Sequence, residues 1–409
     1  MLKQPQLLEG VRIVDYSHFL AGPYVSRCLA ALGADVIKVE RPKIGDPGRT
    51  HPYFIKGQSG YFLQQNAGKK GLCVNVKDPR GLELMKKLVR ESDVFVENYR
   101  PGALKKLGLG YEELAQENSS LIYCSVSAYG HTGVDSERAG FGLIAEAKSG
   151  AMDLVGSPDE VPPLFRMPVA DMYAGAHGVA AVCAALFSRH RTGIGQHIDI
   201  ALYDCMISMH DFAVQFHTLS GGKDVVQRSG HHLPQSTLYG VFPAKDGSLV
   251  IAAQVDDTWN KLAFLIGGEA LAGDTRFQNG VDRNTHSQEI VKLVEDWSKA
   301  RCVKDCLQAL DQAGIPSAPV QTIAQALADP QIKSRNMLIT QQHPVLGPIT
   351  MPNVPFNFSN VEPLIPDAAP QLGQHNHEIA LNLGYSTTQI SAMEKDGVLY
   401  GEDTTCAAS

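Results

Sequence analysis

The stretch VRIVDYSHFLAGPYVSRCLAALGADVIKVE, residues 11–40, contains two strand patterns separated by one helix pattern. Residues 11–16 and 35–40 are short runs rich in Val and Ile, which predict buried strands. Between them, residues 23–32 follow helical periodicity and are closed by Gly33, a common helix terminator. Because parallel strands need a crossover connection, this strand–helix–strand unit predicts parallel pairing with a right-handed connection.

The same alternation continues along the first half of the chain. Further strands are predicted at 71–76, 93–97 and 121–126, and a helix at 79–91 carries its apolar residues on one face. We therefore predict an α/β fold whose large domain is an open parallel sheet of the Rossmann type.

The second half of the chain has a different balance of patterns. It predicts a small-residue helix at 172–189, a strand at 197–201 and a linker at 221–224. A second strand at 249–254 and one last helix at 376–383 follow. The region up to about residue 325 is richer in helix patterns, which indicates a second, smaller domain.

Composition narrows the class of protein. The 409 residues are 44% hydrophobic with a net charge of −7, which is ample for a large core and argues against wholesale binding to nucleic acid or anionic membrane. Residues 1–10 contain no apolar segment typical of a signal peptide, and the longest apolar run, 178–187, is too short to span a bilayer. The eight cysteines form no CxxC pair, which favours reduced thiols. We expect a cytoplasmic enzyme.

Several common cofactor and metal motifs are missing. The first predicted strand-to-helix turn, 17–23, is SHFLAGP and not GxGxxG, and the chain contains no P-loop, HExxH or GxSxG sequence. The histidines at 231–232 and at 375 and 377 lack the spacing of a zinc site, so we predict no metal.

Asp171 directly precedes a run of small residues, AGAHG at 174–178. An aspartate there is most often a helix N-cap. The same position suits a nucleophile, because the positive helix end would hold the carboxylate pKa low and the small neighbours would admit a thioester. Both interpretations remain open on spacing alone.

Basic residues follow several of the predicted strands. In an open parallel sheet, ligands bind outside the carboxyl ends of the strands, so these charges could hold a phosphate-bearing ligand or could be solvated surface groups. They are Arg41, Lys69, Lys70, Lys77, Arg100, Lys105 and Lys106.

Nine short stretches together resemble the class III CoA-transferase family, which includes formyl-CoA:oxalate and carnitine CoA-transferases. They are LEGVRIVD (8–15), AGP (21–23), LGADVIKVE (32–40), NAGKK (66–70), DVFVENYRPG (93–102), GIGQ (193–196), AGIP (313–316), ADP (328–330) and PQLGQH (370–375). Each piece is weak alone, but the set covers essentially the whole chain.

The resemblance implies an architecture that spacing could not predict. It implies a Rossmann-like large domain built from both chain ends, 1–220 and 335–409, around a smaller α+β domain at 228–325. It also implies an interlocked homodimer. Its substrates would be an acyl-CoA and a free carboxylic acid, with coenzyme A bound as substrate and no permanently bound cofactor.

The resemblance also implies roles for particular residues. Asp171, within the motif VAD at 169–171, would be the catalytic nucleophile and carry an aspartyl-CoA thioester. Arg41 would lie near the adenine and 3′-phosphate end of coenzyme A and Tyr129 near its thioester. The implied CoA contacts are His18, Leu20, Ala21, Arg41, Val74, Asn75, Val76, Lys77, Asn98, Tyr99, Arg100, Lys106, Ser127, Ala128, Tyr129 and Gly130, and the implied substrate loop contains Gly230, His231 and His232.

The chain departs from the family pattern in three places, and the first two bear on the acceptor. Oxalate-specific relatives have glutamine where this chain has Leu20, and their glycine run corresponds here to 228–234, which is not glycine-rich. Some relatives have lysine at the position of Ser127. Oxalate is therefore disfavoured as the acceptor.

Two alternative functions remain. An α-methylacyl-CoA racemase on the same fold would need a His-Asp pair where this chain has Phe141 and Gly142. A non-catalytic CoA-binding protein is the other alternative, which the matching motif around Asp171 disfavours.

Overall fold

The computed structural model describes residues 6–51, 53–233, 235–361 and 364–401. Pro234 of the predicted substrate loop, Cys406, and the outer ends of the predicted segments 1–220 and 335–409 lie outside the described residues. The chain divides into two compact units. The larger unit takes in the described residues of Met1–Ser149, Phe165–Asp211 and Lys333–Ser409, and the smaller one comprises Gly150–Leu164 and Phe212–Ile332.

The strands of the larger unit form one main sheet and two small hairpins. The strands are β1 (Arg12–Tyr16), β2 (Asp35–Glu40), β3 (Phe54–Ile55), β4 (Gln58–Ser59), β5 (Lys70–Cys73), β6 (Val94–Glu97), β7 (Ile122–Ser127) and β8 (Gln196–Ala201). The main sheet has six strands in the order β5-β2-β1-β6-β7-β8, and every neighbouring pair is parallel. The predicted α/β fold with a large parallel sheet is confirmed.

The smaller unit and the chain end contain the other strands. These are β9 (Tyr239–Ala244), β10 (Gly247–Ala252), β11 (Ser317–Pro319), β12 (Leu338–His343) and β13 (Gly347–Pro352). In the smaller unit, β10 lies between β11 and β9 in an antiparallel sheet. Strands β12 and β13 pair as an antiparallel hairpin in the larger unit.

The first seven α-helices that the structure describes belong to the larger unit. They are α1 (Ala21–Ala31), α2 (Gly60–Asn66), α3 (Pro79–Arg90), α4 (Tyr111–Glu117), α5 (Gly142–Lys148), α6 (Val169–Thr192) and α7 (Leu202–Ser208). The smaller unit contains α8 (Ala213–Leu219), α9 (Asp256–Ala272), α10 (Gly280–Thr285), α11 (Ser287–Lys299), α12 (Val303–Gln312) and α13 (Ile323–Ala328). Next come α14 (Pro330–Ser334), α15 (Asn376–Asn382) and α16 (Thr387–Lys395).

Two helix predictions need correction. Helix α6 begins at Val169, before Asp171, and therefore runs three residues further in each direction than the predicted 172–189. Helix α15 is not the last one, because α16 follows it and is started by a capping box in which Ser386 and Gln389 bond reciprocally. That serine-to-glutamine spacing was present in the sequence and could have predicted the extra helix.

A buried charge network lies under the carboxyl end of β1. Lys69 Nζ donates to Asp15 Oδ2 at 2.8 Å, and Lys38 Nζ lies 2.9 Å from Asp46 Oδ2, with all four side chains buried. Lys69 is therefore a core residue and not a candidate phosphate ligand. Burial lowers the pKa of Lys69 to about 8, against the opposing pull of Asp15.

The neighbouring Lys70 is also removed from the set of phosphate candidates. It begins β5, at the opposite end of the strand from the one where parallel sheets bind ligands. Its Nζ lies 3.4 Å from Asp35 and 3.1 Å from Glu378. The sequence pattern did not locate the first residue of this strand, so it could not show that Lys70 lies at the end away from the ligand-binding edge.

Helix α6 packs closely on α1 because its glycines remove side chains from the contact. A Cβ atom on Gly175 would lie 2.7 Å from Tyr24, and one on Gly178 would lie 2.6 Å from Val25. Both distances are shorter than real Cβ contacts allow. The small residues after Asp171 thus serve helix packing, and the predicted role in admitting a thioester is wrong for these two glycines.

Helix α6 is also the one described helix that is long and apolar enough to cross a membrane by length and composition. Of its most apolar window, 39% is buried within the protein. Core helices of ordinary domains pass the same test, and the contacts with α1 are of that kind.

Candidate active site

Two adjoining cavities open at the carboxyl ends of the parallel strands in the larger unit. The first has a volume of about 280 Å³ and the second about 380 Å³, and His18 and Tyr99 line both. The first lies over the ends of β1, β2 and β5, and the second over the ends of β1, β6 and β7. They meet where the strand order reverses, which is the usual ligand position in such sheets.

Most residues implied as CoA contacts line these cavities. The first is lined by His18, Arg41, Val74, Asn75, Val76, Lys77 and Tyr99 among others. The second is lined by His18, Leu20, Ala21, Asn98, Tyr99, Arg100, Ser127, Ala128 and Asp171 among others. Residues that are far apart in the chain thus meet around these two cavities, because they follow the carboxyl ends of neighbouring parallel strands.

The other implied site residues lie elsewhere. Lys106 is exposed on a short 3-10 turn, and Tyr129 and Gly130 lie on the turn beyond β7, outside the lining of both cavities. Gly230 and His231 belong to the smaller unit. His232, in the same unit, lines a separate cavity of about 280 Å³ there.

The two cavities share a turn, residues 17–20, that is held from two sides. His18 N donates to Asn98 Oδ1 at 2.8 Å, and Asn98 Nδ2 donates back to His18 O at 2.7 Å. Phe19 N donates to Asp46 Oδ1 at 3.0 Å while Phe19 has a φ of +62°, a conformation that few side-chain-bearing residues adopt. These bonds tie the end of β1 to the loops after β6 and β2.

His18 lies at the junction of the two cavities. Its ring is 4.7 Å from that of Tyr99, between centroids, and burial lowers the pKa of His18 to about 4. The imidazole is therefore neutral near pH 7 and can accept or donate a hydrogen bond without carrying charge.

Asp171 lies in the first turn of α6, whose N-cap position is Pro168. The N-cap interpretation of Asp171 is therefore wrong. The carboxylate lies against the start of α5, where a Cβ atom on Gly142 would be only 2.1 Å from Asp171 Oδ2. Gly142 is thus the residue that leaves room for the carboxylate.

The pKa expected for Asp171 needs correction. Burial, followed by the nearby Glu146 carboxylate, raises the pKa of Asp171 to about 6. Glu146 is buried on α5 and its Oε1 accepts from Ala170 N at 3.1 Å, so a second carboxylate occupies the start of α6. Desolvation and like charge outweigh the helix dipole, which is worth at most about 2 kcal/mol.

The aromatic side chains of Phe19 and Phe141 line the same cavity as Asp171. The Phe19 ring lies 6.2 Å from Phe141 and 6.3 Å from His51, between centroids, and His51 lies 4.7 Å from Tyr61. Burial, followed by the Asp171 and Asp46 carboxylates, raises the pKa of the Tyr61 phenol. This wall would suit the acyl part of a thioester.

The basic residues near the cavities differ in whether their side chains already form ion pairs. Arg41 is exposed, and its Nε donates to Gly45 O at 3.3 Å. Lys77 and Arg100 are exposed and form no ion pair within the described part of the chain. These three cations are therefore available to phosphate groups, whereas Lys105 pairs with Glu112 at 2.7 Å.

Sequence reasoning missed the residues that set the environment of Asp171. Glu146, Tyr61, His51 and Asp46 had no motif to mark them, and Gly142 was singled out only as part of the racemase position, because their roles depend on contacts between distant segments. Among the described residues, no group of three His, Cys, Asp or Glu side chains has an arrangement suited to a metal ion.

Comparison with known proteins supports one assignment. Residues 8–376 match the family described as CoA-transferase family III. The chain is 34% identical to the succinyl-CoA–D-citramalate CoA-transferase of Chloroflexus aurantiacus, covering 97% of this chain and 99% of that protein. It is also 34% identical to the succinyl-CoA:glutarate CoA-transferase of Mus musculus, covering 97% and 91% of the two chains.

A solved structure gives the same answer. The crystal structure of a CAIB/BAIF family protein from Brucella suis superposes with a TM-score of 0.83 at 36% identity, covering 93% of this chain and 100% of that one. Together with the cavities at the carboxyl ends of the sheet, these matches confirm the family inferred from the motifs. The chain belongs to the class III CoA-transferases, enzymes that transfer coenzyme A between an acyl-CoA and a carboxylic acid.

Proposed function

We propose that Asp171 is the nucleophile and carries the transferred group as an aspartyl-CoA thioester. The observation that carries this proposal is the position of its carboxylate, beside Gly142 and lining the larger cavity with three of the segments assigned to coenzyme A. A pKa of about 6 leaves most of the carboxylate ionised at neutral pH while keeping it poorly solvated and reactive.

The reaction balances without a metal or a redox group. The Asp171 carboxylate attacks the donor thioester carbonyl, the C–S bond breaks, and a mixed anhydride and CoA thiolate form. The thiolate attacks the Asp171 carbonyl, which releases the donor acid and leaves aspartyl-CoA. The acceptor carboxylate attacks that thioester, forming a second anhydride and thiolate, and the thiolate then takes the acceptor acyl group and restores Asp171.

The covalent intermediate can be tested directly. We expect the protein incubated with an acyl-CoA and no acceptor to gain the mass of one coenzyme A less one water, located by peptide mapping to Asp171. Asp171→Asn should gain nothing while it still binds coenzyme A. An adduct on the Asn variant, or no adduct under conditions of rapid turnover by the wild type, would remove Asp171 from this role.

We propose dicarboxylic acids as the acceptor class, with a dicarboxylyl-CoA such as succinyl-CoA as donor. The support is indirect: relatives named for succinyl-CoA with citramalate or glutarate match nearly the whole chain. Leu20 lies in the larger cavity, where oxalate-specific relatives are expected to have glutamine, and this disfavours oxalate. Screening succinyl-CoA against a panel of mono- and dicarboxylic acids tests the class, and faster transfer to monocarboxylates would contradict it.

A racemase function is disfavoured by the space around position 142. A racemase needs two bases on opposite faces of the α-carbon, but any side chain at 142 would overlap Asp171 in its present position. Phe141, the other residue at the racemase position, has no ionisable group. Rapid, acceptor-independent deuterium uptake by a 2-methylacyl-CoA in deuterated water would favour the isomerase.

A non-catalytic CoA-binding role is the remaining alternative. It predicts coenzyme A binding without turnover for any acceptor in the panel. We also propose that the protein acts in the cytoplasm as an interlocked homodimer, with 1–220 and 335–409 in the large domain, except for Gly150–Leu164 and the part of 1–220 from Phe212 onward, which belong with 228–325 to the small one. In this assignment Gly230, His231 and His232 form a substrate loop, and no membrane or nucleic acid is a partner.

A further inference from the structure

A third cavity adjoins the Asp171 cavity and contains a cluster of titratable side chains that the proposed reaction does not use. Its volume is about 320 Å³, and Arg100 lines both cavities. Its other charged or titratable side chains are Glu97, Lys105, Tyr111, Glu112, Tyr123, His131 and His197.

Glu97 connects this cluster to one segment of the proposed CoA site. It ends β6 and is only 2% exposed. Its Oε2 accepts from Tyr99 N at 2.8 Å, which fixes the backbone of the segment 98–100. Its Oε1 lies 3.7 Å from His131 Nε2, a distance of electrostatic attraction that is too long for a hydrogen bond.

His131 connects the cluster to a second segment, the turn 127–131. His131 N donates to Asp199 Oδ2 at 2.8 Å, and Gly130 N donates to Ser127 Oγ at 3.0 Å. The backbone of the turn is therefore fixed by β7 and β8, while the imidazole is the side chain that reaches toward β6. The turn contains Tyr129, which the resemblance places near the thioester.

The imidazole of His131 is in an unusual environment. Its Nε2 is buried and has no hydrogen-bond partner within the described residues. The His197 ring lies 5.1 Å away, between centroids, and His197 Nε2 is hydrogen-bonded to Ser125 Oγ at 2.9 Å. Glu97 and Asp199 therefore attract a proton onto His131, whereas Arg100 and the Lys105–Glu112 pair supply the remaining charges around it, and His197 is the other titratable group beside it.

We propose that Glu97 and His131 are positioning residues that fasten the turn 127–131 against the segment 98–100 when His131 is protonated, so that binding of coenzyme A weakens as the pH rises. The proposal rests on the assignment of coenzyme A to the cavities at the strand ends. Neither side chain touches the reacting atoms, and both act through the backbone segments that hold the ligand.

The direction of the pH effect follows from the charges. The Glu97 carboxylate, despite the opposing effect of burial, raises the pKa of His131 above its usual value. The ion pair is therefore complete at low pH and is lost as the pH rises through that raised value. Burial, followed by the charge on His131, lowers the pKa of His197, so the two imidazoles do not compete for the charged state.

The test is the dissociation constant of free coenzyme A, measured by calorimetry from about pH 6 to about pH 8.5. We expect wild type to weaken by about three- to fivefold across this range, the modest effect of a partly exposed pair. His131→Gln should show a flat profile at the weaker value. His377→Gln, which changes an exposed histidine on α15, should keep the wild-type profile.

Two further measurements separate the effect of His131 from titration of the ligand itself. The 3′-phosphate of coenzyme A titrates near pH 6, so 3′-dephospho-CoA should show the same loss of the pH effect in His131→Gln. Glu97→Gln can still accept from Tyr99 N, and it should also flatten the profile. A wild-type profile in either variant would overturn the proposal. The Asp171 adduct is measured separately, so a failed nucleophile assignment would leave this result readable.

Discussion

Asp171 is a residue whose environment opposes its own ionisation. Because the folded protein raises its pKa from 3.8 to about 6, the folded state binds the proton more tightly than the unfolded chain does. The cost of ionisation in the folded state therefore appears as the pH rises from 3.8 through about 6 and is fully present at pH 7. The ionised Asp171 carboxylate therefore makes the folded protein less stable at neutral pH, and the same poor solvation would make the carboxylate more reactive in the proposed transfer.

We expect Asp171→Asn to be inactive and more stable than wild type. At pH 7 its free energy of unfolding should be about 1–2 kcal/mol higher, and the difference should vanish below about pH 3, where the carboxyl group is neutral in both states. Urea unfolding at the two pH values measures this. A lower stability at pH 7 would show that Asp171 makes favourable contacts as an anion.

Gly142 is expected to be required for activity. Gly142→Ala would put a methyl group 2.1 Å from Asp171 Oδ2, so the carboxylate or the start of α5 must move. We predict a loss of about 100-fold or more in kcat, because displacements near 1 Å have effects of that size. Gly280→Ala, on α10, is the matched control, because a Cβ atom there would approach Arg283 no closer than 3.8 Å. Equal activity in the two variants would contradict the prediction.

Arg41→Ala should weaken the binding of coenzyme A through its phosphate or adenine end. A charge-assisted contact is worth roughly 1.5–3 kcal/mol, and the exposure of Arg41 favours the lower end of this range. The measurement compares coenzyme A with 3′-dephospho-CoA in both proteins. If the variant binds coenzyme A as wild type does, Arg41 is a solvated surface charge.

At the scale of elements, the buried network couples the loops that form the site. Asp46 accepts from Phe19 N and Gly48 N and pairs with Lys38, so one side chain ties β2, its following loop and the turn before α1. Although burial opposes it, Lys38 lowers the pKa of Asp46. Its stabilising effect is therefore present above the ordinary carboxyl pKa and is lost as the pH falls through the lowered value.

We predict that Asp46→Ala lowers the free energy of unfolding by about 3–5 kcal/mol at pH 7, since it leaves buried Lys38 without its closest carboxylate. Asp296→Ala, which removes an exposed i,i+4 pair with Lys292, should cost less than about 0.5 kcal/mol. Denaturant unfolding of both variants gives the comparison. Similar values would mean that Asp15 alone neutralises Lys38.

At the scale of the whole molecule, the proposed interlocked dimer has a distinctive exchange behaviour. Light scattering should give twice the 44.2 kDa of one chain. Dimers carrying different tags should not exchange chains when mixed, because linked chains separate only by unfolding. Exchange within minutes at native conditions would exclude interlocking, and a mass of 44.2 kDa would exclude the dimer.

The local sequence determined the elements and the family. Runs of Val and Ile at 11–16, 35–40 and 121–126 could bury only as strands of a covered parallel sheet, and their helix-length spacing required crossovers. Motifs along the whole chain identified the family, and the carboxyl-end rule placed most implied CoA contacts in adjoining cavities.

Tertiary structure alone decided the electrostatics. Lys69 and Lys77 look alike in the sequence, but one is buried against Asp15 and the other is exposed at a strand end, because burial depends on what packs above each residue. The pKa of Asp171 reversed its expected direction because burial removes water from it and the Glu146 carboxylate adds a like charge nearby. Such effects arise between segments distant in sequence, where no local pattern records them.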